Sequence, residues 1–320
     1  MNFRTPINVE KLKQQVSYKK PVVMMGSCFT DNVGKYLKKY LFDVVVNPFG
    51  VIYNPLSVKK GIEQLLYREE YKKKDLRFYN ELWFSFDHYT LYSDTNKEEA
   101  LRKINADFLL AKEKLLSAGF LIITFGTSFA YRFKETDELV CNCHKIPSSK
   151  FDRFMISPKS IITEYENLLN QLLKMNPDLQ VIFTVSPVRH LKDGLIENQR
   201  SKAALLLSIS ELIQLFPGSC HYFPSYEIMM DDLRDYRFYD ADLVHPNENA
   251  ITYIWEKFMK AIIDSEAQGI IEKIDPLLKS RQHKPMHTNT DAYKKFSDQL
   301  TKKELDLRNI YPFLRWDKLL

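Results

Sequence analysis

The sequence predicts an α/β protein in which a parallel sheet is covered on both faces by helices. Short, fully apolar runs alternate along the chain with amphipathic helical patterns. The strongest apolar runs lie at residues 21–26, 120–125 and 181–185. Strands that are apolar on both faces are typical of a parallel sheet between two helical layers, so the pattern favours this architecture.

Composition and charge exclude several classes of protein. The 320 residues are 45% hydrophobic, which is enough for a large core, and the net charge is only +5. So mild an excess, with acidic and basic residues mixed along the chain, does not indicate nucleic-acid binding. The sequence contains no apolar run of 18 residues and no secretory pattern at residues 1–20, so we expect no membrane span and a cytoplasmic location. Four cysteines do not indicate a disulfide framework.

The first strand and helix meet at the most informative segment. Residues 22–25 predict a buried strand, and a helical pattern follows over about 30–40. Gly26 permits a tight turn between them. Ser27 therefore lies where a strand ends and a helix begins, the place where open α/β sheets bind ligands. From the residues alone, Ser27 is either a helix-capping serine or a hydroxyl positioned for chemistry.

The next elements are separated by a rigid loop. Residues 42–46 form a second β-rich run, and residues 47–55 contain two prolines and a glycine. Ser57 is predicted to cap a helix that ends near residue 67. Residues 68–95 are rich in aromatic side chains and predict an irregular hairpin inserted between α/β units.

The rest of the chain repeats the alternation. The strand at 120–125 is followed by a second irregular insertion near 130–156, and Ser157-Pro158 is a favourable start for a helix. The other predicted elements are helices at 96–117, 158–175 and 198–216, strands at 181–185 and 221–223, and a helix after Pro246.

We divide the chain near residue 265. Residues 1–265 are predicted to form the α/β domain with its insertions near 68–95 and 130–156. Residues 266–320 are highly charged but carry late apolar anchors such as Trp316. We expect them to form a helical extension that packs back on the domain, and a partly disordered tail is the alternative.

The loops that follow buried strands carry the groups best suited to chemistry. In a parallel sheet these loops meet at one edge. They hold Ser27, the loop at 47–54, Gly126-Thr127-Ser128 and residues 186–190. A serine nucleophile needs a base within hydrogen-bonding reach, and the base needs an orienting carboxylate. Asp242 and His245, three positions apart, can supply both if their loop reaches the same edge.

Four motifs, in order, resemble those of one known family. They are Gly26-Ser27-Cys28-Phe29, then Asn47-Pro48-Phe49-Gly50 with Tyr53-Asn54-Pro55, then Gly126-Thr127-Ser128, and finally Asp242-Leu243-Val244-His245-Pro246. Over about residues 3–262 the chain resembles the GSCFA family, a branch of the SGNH/GDSL-type hydrolases. Thr30 stands where this family usually has alanine.

The resemblance implies a flavodoxin-like, three-layer α/β/α domain of the SGNH-hydrolase type and a serine mechanism that needs no cofactor and no metal. It implies that Ser27 is the nucleophile, that His245 is the general base and then the acid, and that Asp242 orients His245. It also implies that the backbone N–H groups of Ser27 and Gly50 stabilise an oxyanion.

The third oxyanion donor departs from the related pattern. SGNH hydrolases carry an asparagine side chain in a Gly-x-Asn-Asp motif, and Ser128 occupies that place here. A hydroxyl is shorter and rotates, and the loss of a donor can lower the rate by roughly a hundredfold or more. Asn54 and Asn142 are alternative donors.

The expected function is an esterase that removes a small acyl group, such as acetyl, from a carbohydrate or similar small molecule through an acyl-Ser27 intermediate. An acyltransferase that uses the same residues and a non-catalytic binding protein are the alternatives. The sequence leaves the oligomeric state open. The candidate substrate-binding residues are Asn54, Thr127, Asn142, Arg189 and His190.

Cysteine chemistry offers two further interpretations, which we disfavour. Cys28 is next to Ser27 and is an alternative nucleophile, although a cysteine at such a position is usually a small core residue. The cysteines and histidines that raise the question of zinc are Cys141, Cys143, His144, Cys220 and His221. Their Cys-x-Cys-His spacing is poor for a tetrahedral zinc site, so no metal is expected.

Overall fold

The computed structural model of the protein describes residues 4–282, 287 and 289–318. The strands, in chain order, are β1 Val22–Gly26, β2 Val44–Val46, β3 Arg77–Tyr79, β4 Leu82–Phe84, β5 Phe120–Phe125, β6 Phe129–Phe133, β7 Glu138–Val140, β8 Phe151–Met155, β9 Gln180–Val185 and β10 Cys220–Tyr222. The helices are α1 Cys28–Lys39, α2 Pro55–Tyr67, α3 Lys97–Ser117, α4 Pro158–Met175, α5 Leu195–Leu215, α6 Ser225–Glu227, α7 Glu248–Ile262, α8 Ser265–Gln282 and α9 Asp291–Ile310.

Within the described residues, five parallel strands form the central sheet in the order β10-β9-β5-β1-β2. Gly26 at the end of β1 lies opposite Thr124 of β5, and Thr124 lies opposite Thr184 of β9. The carboxyl ends of these three strands are therefore adjacent. The chain passes from β1 to β2 on one side and later to β5 on the other, so the switch point for ligand binding lies between β1 and β5.

Successive side chains of β1 enter two different cores because strand side chains alternate between faces. Val23 and Met25 pack in a cluster with residues of α2, α3, α4 and α5. Val22 and Met24 pack in a second cluster with residues of α1, α7, α8 and α9. The predicted α/β class, with a parallel sheet between two helical layers, is confirmed.

The two predicted insertions pack against each other. The first contains the antiparallel β3–β4 hairpin, and the second forms the antiparallel sheet β7-β6-β8. Phe84 and Phe86 from the first insertion and Phe133 and Phe151 from the second belong to one buried cluster. The ring centroids of Phe86 and Phe133 are 5.1 Å apart. This cluster fixes β6, which forms one wall of the cavity described below.

The chain after residue 264 is helical and packs on the α1 side of the sheet. Ile274 of α8, Leu307 of α9 and Trp316 are buried in the same cluster as α1. The N–H of Arg315 donates to the carbonyl oxygen of Leu41 at 3.1 Å. Parts of the predicted extension, residues 283–286, 288 and 319–320, lie outside the described residues. In the part of the chain that is described, no helix combines the length and apolar character needed to cross a bilayer.

One helix starts earlier than the sequence predicts. Ser57 was the expected cap, but α2 begins at Pro55, and the Asn54 side chain accepts the N–H of Ser57 at 2.9 Å. Asparagine followed by proline is a strong start for a helix, because the cap accepts a free N–H and proline fits the first helical position.

Candidate active site

A cavity of about 470 Å³ lies beside the carboxyl ends of β1, β5 and β9. Its walls come from the loops that follow these strands, from β6 and β8, and from the loop before α7. The lining residues are Ser27, Cys28, Tyr53, Asn54, Thr127, Phe129, Tyr131, Cys141, Arg153, Ser186, Val188, Arg189, His190, Leu191, Lys192, Asp193 and His245.

The turn at Gly26 places Ser27 against this cavity. Gly26 has a φ of +143°, and a Cβ on it would lie 2.1 Å from the carbonyl oxygen of Thr124. Only glycine permits so close an approach of β1 to β5 at the turn. The chain then enters α1 directly, so Ser27 occupies the junction between strand and helix.

The Ser27 side chain is buried and unpaired. It does not cap α1, which excludes the capping interpretation for this structure. Only 1% of the residue is exposed, and its hydroxyl has no hydrogen-bond partner among the described residues. A buried hydroxyl without a partner costs free energy, so its position beside a cavity is consistent with a functional role.

Asp242 and His245 form a close pair in the loop before α7. The Nδ1 atom of His245 and the Oδ2 atom of Asp242 are 2.6 Å apart. The other carboxylate oxygen accepts the N–H groups of Val244 and His245, each at 2.9 Å. These hydrogen bonds, led by the one from the His245 backbone, lower the pKa of Asp242 to about 2. The ionised carboxylate holds Nδ1 and leaves Nε2 as the ring atom that can take a proton.

Ser27 and His245 line the same cavity, although they come from opposite ends of the core domain. The Ser27 mechanism requires His245 within hydrogen-bonding reach, with looser geometry allowed in the free protein. No hydrogen bond joins the two side chains here, because the Ser27 hydroxyl has no partner among the described residues. The candidate nucleophile and the candidate base therefore line one cavity without a hydrogen bond between them.

The N–H groups of Ser27 and Gly50 are both engaged elsewhere, which corrects their prediction as oxyanion donors. The Ser27 N–H donates to the Thr124 carbonyl oxygen at 3.1 Å, and the Gly50 N–H donates to the Asn47 carbonyl oxygen at 2.7 Å. Gly50 is also packed against Tyr89 and is not among the described residues that line the cavity. Neither N–H is free to hold an oxyanion in this structure.

Ser128 and Asn142 lie outside the cavity wall. The Ser128 hydroxyl is buried without a partner among the described residues, and its N–H donates to the Ser201 hydroxyl oxygen at 2.7 Å. The Asn142 side-chain oxygen accepts the His144 N–H at 2.8 Å. Neither residue is among the described ones that line the cavity beside Ser27.

The first turn of α1 carries other N–H groups. A helix leaves its first N–H groups without an acceptor inside the helix.

The Cys28 thiol is the alternative nucleophile next to Ser27. Burial raises the pKa of this thiol, and Asp31 adds to the rise. Hydrogen bonds from the N–H groups of Cys28 and Phe29 only partly oppose the rise. Cys28 therefore remains a thiol at neutral pH, which disfavours it as the nucleophile.

Four of the five candidate substrate-binding residues line the cavity: Asn54, Thr127, Arg189 and His190. The Asn54 side chain is also committed to α2, because its Nδ2 donates to the Ser57 hydroxyl at 3.0 Å. The Thr127 hydroxyl shares a hydrogen bond of 3.0 Å with the Ser201 hydroxyl. Arg189 and His190 are the candidates with most hydrogen-bonding capacity left for a ligand.

His190 is close to Ser27. Its ring packs edge-on against Tyr53 with centroids 5.5 Å apart. Its Nε2 atom and the Cβ atom of Ser27 are each 3.3 Å from the point that a Cβ on Gly126 would occupy. Burial lowers the pKa of His190 to about 4, and nearby positive charges add to the effect. At neutral pH this imidazole is an uncharged hydrogen-bonding group.

Lys202 of α5 holds two loops of the cavity wall from behind, and the sequence pattern did not predict this role. It is fully buried, and its Nζ donates to the carbonyl oxygens of Gly126 and Ser186 at 2.6 Å each. These carbonyls directly follow β5 and β9. Burial lowers the pKa of Lys202 to about 7. Its one sequence signal is its place in Ser201-Lys202-Ala203-Ala204-Leu205, a stretch otherwise composed of small and apolar residues.

The cysteines and histidines considered for zinc are dispersed. The His144 Nε2 atom lies 3.0 Å from the Ser85 carbonyl oxygen, and Cys220 is buried within β10. Across residues 4–282, 287 and 289–318, no three His, Cys, Asp or Glu side chains are grouped as ligands for a metal ion.

Two family models match the chain. The model of the GSCFA family matches residues 21–258, well over half of the sequence. The model of the GSCFA domain protein, C-terminal domain, matches residues 274–320. A search of curated proteins found no match.

Among solved structures, an acetyl xylan esterase from the rumen bacterium Butyrivibrio proteoclasticus is similar at 10% sequence identity with a TM-score of 0.39. The similarity covers 82% of this chain and 66% of that chain, so the protein spans just under two thirds of that structure's length. The assignment of the fold depends on the central sheet order β10-β9-β5-β1-β2.

Proposed function

The chain belongs to the GSCFA family, and on that premise we propose that it is a serine esterase that removes a small acyl group from a carbohydrate or similar hydroxylated substrate. The observation that carries the proposal is the Ser27 hydroxyl, buried and unpaired at the wall of a cavity that His245 also lines. The Asp242 carboxylate supports it, because its oxygen lies 2.6 Å from Nδ1 of His245.

The proposed reaction begins when Nε2 of His245 accepts the Ser27 proton while the Ser27 oxygen bonds to the acyl carbon. The ionised Asp242 stabilises the imidazolium that forms. His245 then gives the proton to the leaving alcohol as the ester C–O bond breaks, which leaves acyl-Ser27. Water attacks the acyl carbon, passes a proton to His245 and releases the acid, and the proton returns to Ser27.

Substrate binding has to close the distance between Ser27 and His245 in this mechanism. The two side chains are not hydrogen-bonded in the free protein. Catalytic hydrogen bonds are often long or absent without substrate and tighten in the complex. His245 has room for such an adjustment on its solvent side, because 49% of its side chain is exposed while Asp242 holds Nδ1.

The N-terminus of α1 is the proposed source of oxyanion stabilisation. This helix begins directly after Ser27. Its first N–H groups lack acceptors within the helix and carry the partial positive charge of the helix dipole. We assign this role to the N–H groups of Cys28 and Phe29 in place of Gly50. Their hydrogen bonds in the free protein go to the Cys28 sulfur, a weak acceptor that an oxyanion next to the nucleophile can displace.

A non-catalytic binding protein is the second candidate, and the missing hydrogen bond between Ser27 and His245 is the observation that favours it. An acyltransferase would use the same three residues, with an acceptor hydroxyl in place of water. Product analysis, rather than the arrangement of residues, separates it from a hydrolase.

Steady-state hydrolysis of p-nitrophenyl acetate and of an acetylated sugar tests the proposal. We expect Ser27→Ala to lower kcat/KM by about a thousandfold or more, and Cys28→Ala, the adjacent matched change, to lower it by less than about tenfold. Equal activity in wild type and Ser27→Ala would refute the assignment. Acyl transfer to an added alcohol in preference to water would identify a transferase. Calorimetric binding of the acetylated sugar without turnover would identify a binding protein.

A further inference from the structure

The cavity beside Ser27 carries an excess of positive charge. Its charged lining residues are Arg153, Arg189, Lys192 and Asp193. Asp193 is the one carboxylate residue among the described residues of the lining, and it is paired with Arg153. Within the described part of the chain, Arg189 and Lys192 have no carboxylate within ion-pairing distance, so two cationic side chains face the cavity uncompensated.

Arg189 has hydrogen-bonding capacity left for an anion. It is half-buried just after β9, and its guanidinium donates to the sulfur of Met230 at 3.3 Å. A thioether is a weak acceptor, so this contact positions the side chain while using little of its donor capacity. A guanidinium presents paired donors that match the oxygen atoms of a carboxylate or a phosphate.

The groups behind the cavity do not neutralise this charge. The amine of Lys202 is itself a basic group close to Arg189. Burial is the main cause that lowers the pKa of Lys202, Cys28 partly opposes it, and the positive charge of Arg189 lowers the pKa further. The Asp242 carboxylate is already bound to the ring and the backbone of His245. A concave site with an excess of one sign of charge concentrates ligands of the opposite sign.

We propose that the substrate of this site is an anionic ester, whose alcohol or acyl part carries a carboxylate or phosphate that binds Arg189 and Lys192. This inference rests on the proposed function, because it assigns the substrate of the same Ser27 site. Tyr53, Phe129 and Tyr131 also line the cavity and give the uncharged part of the substrate an aromatic surface.

Pairs of esters in which one carboxylate is either free or methylated test the proposal. Comparing the hydrolysis of 4-acetoxybenzoate with that of its methyl ester tests a negative charge on the alcohol part. Comparing p-nitrophenyl hemisuccinate with its methyl ester tests a negative charge on the acyl part. In a third substrate, 4-acetoxyphenyl phosphate, a phosphate replaces the carboxylate. We expect wild-type kcat/KM to favour the anionic member by about tenfold or more, and this preference to shrink as NaCl screens the charges.

Variants of Arg189 test whether this residue causes the preference for anionic esters. We expect Arg189→Gln to reduce this preference by about tenfold, and Arg189→Lys to restore part of it, because lysine keeps the charge but not the paired donors. Arg102→Gln is the charge-matched control, since Arg102 is an exposed residue of α3 paired with Glu99. It should leave the preference at the wild-type value.

The outcomes separate this inference from the proposed function. Equal kcat/KM for both members of each pair, or a preference that Arg189→Gln leaves intact, overturns the anionic substrate and leaves the esterase standing. If no ester is hydrolysed, the proposed function fails, and calorimetric titration with benzoate and phenyl phosphate, against benzamide, decides the inference. Anion binding that is lost in Arg189→Gln supports it, and no anion binding overturns it.

Discussion

The Nζ atom of Lys202 lies 2.6 Å from the carbonyl oxygen of Ser186, at the end of β9. The same atom donates to the Gly126 carbonyl oxygen at the end of β5. A single buried amine thus joins the two loops that bring Thr127 and Arg189 to the cavity. The distance between these two loops, and so the width of the cavity, depends on the hydrogen bonds that Lys202 donates to them.

We predict that Lys202→Met lowers the free energy of unfolding by about 1–3 kcal/mol, because two buried carbonyl groups lose their donor. Urea denaturation at neutral pH measures the change. Lys73→Met is the control, since Lys73 is exposed and paired with Glu98, and we expect it to change stability by less than about 1 kcal/mol. A Lys202→Met protein as stable as wild type would show that the amine does not hold these loops.

Asp242→Asn should lower kcat/KM on an ester by roughly a hundredfold or more, because the amide no longer stabilises the imidazolium of His245. Circular dichroism should show an unchanged fold, since the Asp242 side chain is 51% exposed. Asp137→Asn makes the same chemical change at an exposed position that pairs with Arg132, and it should have no effect on the rate. An active Asp242→Asn protein would remove the carboxylate from the mechanism.

The dependence of kcat/KM on pH should show no step from Asp242 or His190 between pH 5 and pH 7. Hydrogen bonds lower the pKa of Asp242 to about 2, and burial lowers the pKa of His190 to about 4, so the carboxylate stays ionised and the His190 imidazole stays neutral over that range. His190→Gln should therefore leave the shape of the pH profile above pH 5 unchanged. A profile whose shape changes in His190→Gln would instead make His190 the general base.

Gly26→Ala should destabilise the protein by about 3 kcal/mol or more, because a Cβ would collide with the Thr124 carbonyl oxygen in a backbone conformation that alanine rarely adopts. Gly269→Ala is a matched change in α8, where a Cβ meets no atom within 4 Å. It should stabilise the protein by about 0.5–1 kcal/mol, because alanine favours helix. Thermal and chemical denaturation of both variants checks the contrast.

The strands that position Ser27 could be predicted from sequence because they are marked locally. β1, β5 and β9 are short apolar runs, each followed by a polar turn, and their observed bounds differ from the predicted ones by no more than a residue at either end. The closeness of Asp242 to His245 was also predictable, since their spacing in one loop limits where the side chains can lie.

The oxyanion donors were not predictable in this way. The partner of the Ser27 N–H is Thr124, which depends on the register between β1 and β5, and the Gly50 N–H is used by the turn that closes on Asn47. Lys202 escaped notice because a lysine in a helix is usually solvent-exposed, and only the packing of α5 against two strand ends buries it. The partner of the Ser27 N–H and the burial of Lys202 are decided by tertiary contacts that no local pattern encodes, whereas the Gly50 N–H is taken up within its own turn.

The central claim is that Ser27 is a nucleophile served by His245. Treatment with a fluorophosphonate, followed by mass spectrometry of proteolytic peptides, tests it most directly. We predict an adduct on the peptide that contains Ser27 in wild type, none in Ser27→Ala, and labelling slowed by about a hundredfold or more in His245→Ala. Labelling that persists in Ser27→Ala, or folded wild-type protein that remains unlabelled, would contradict the account.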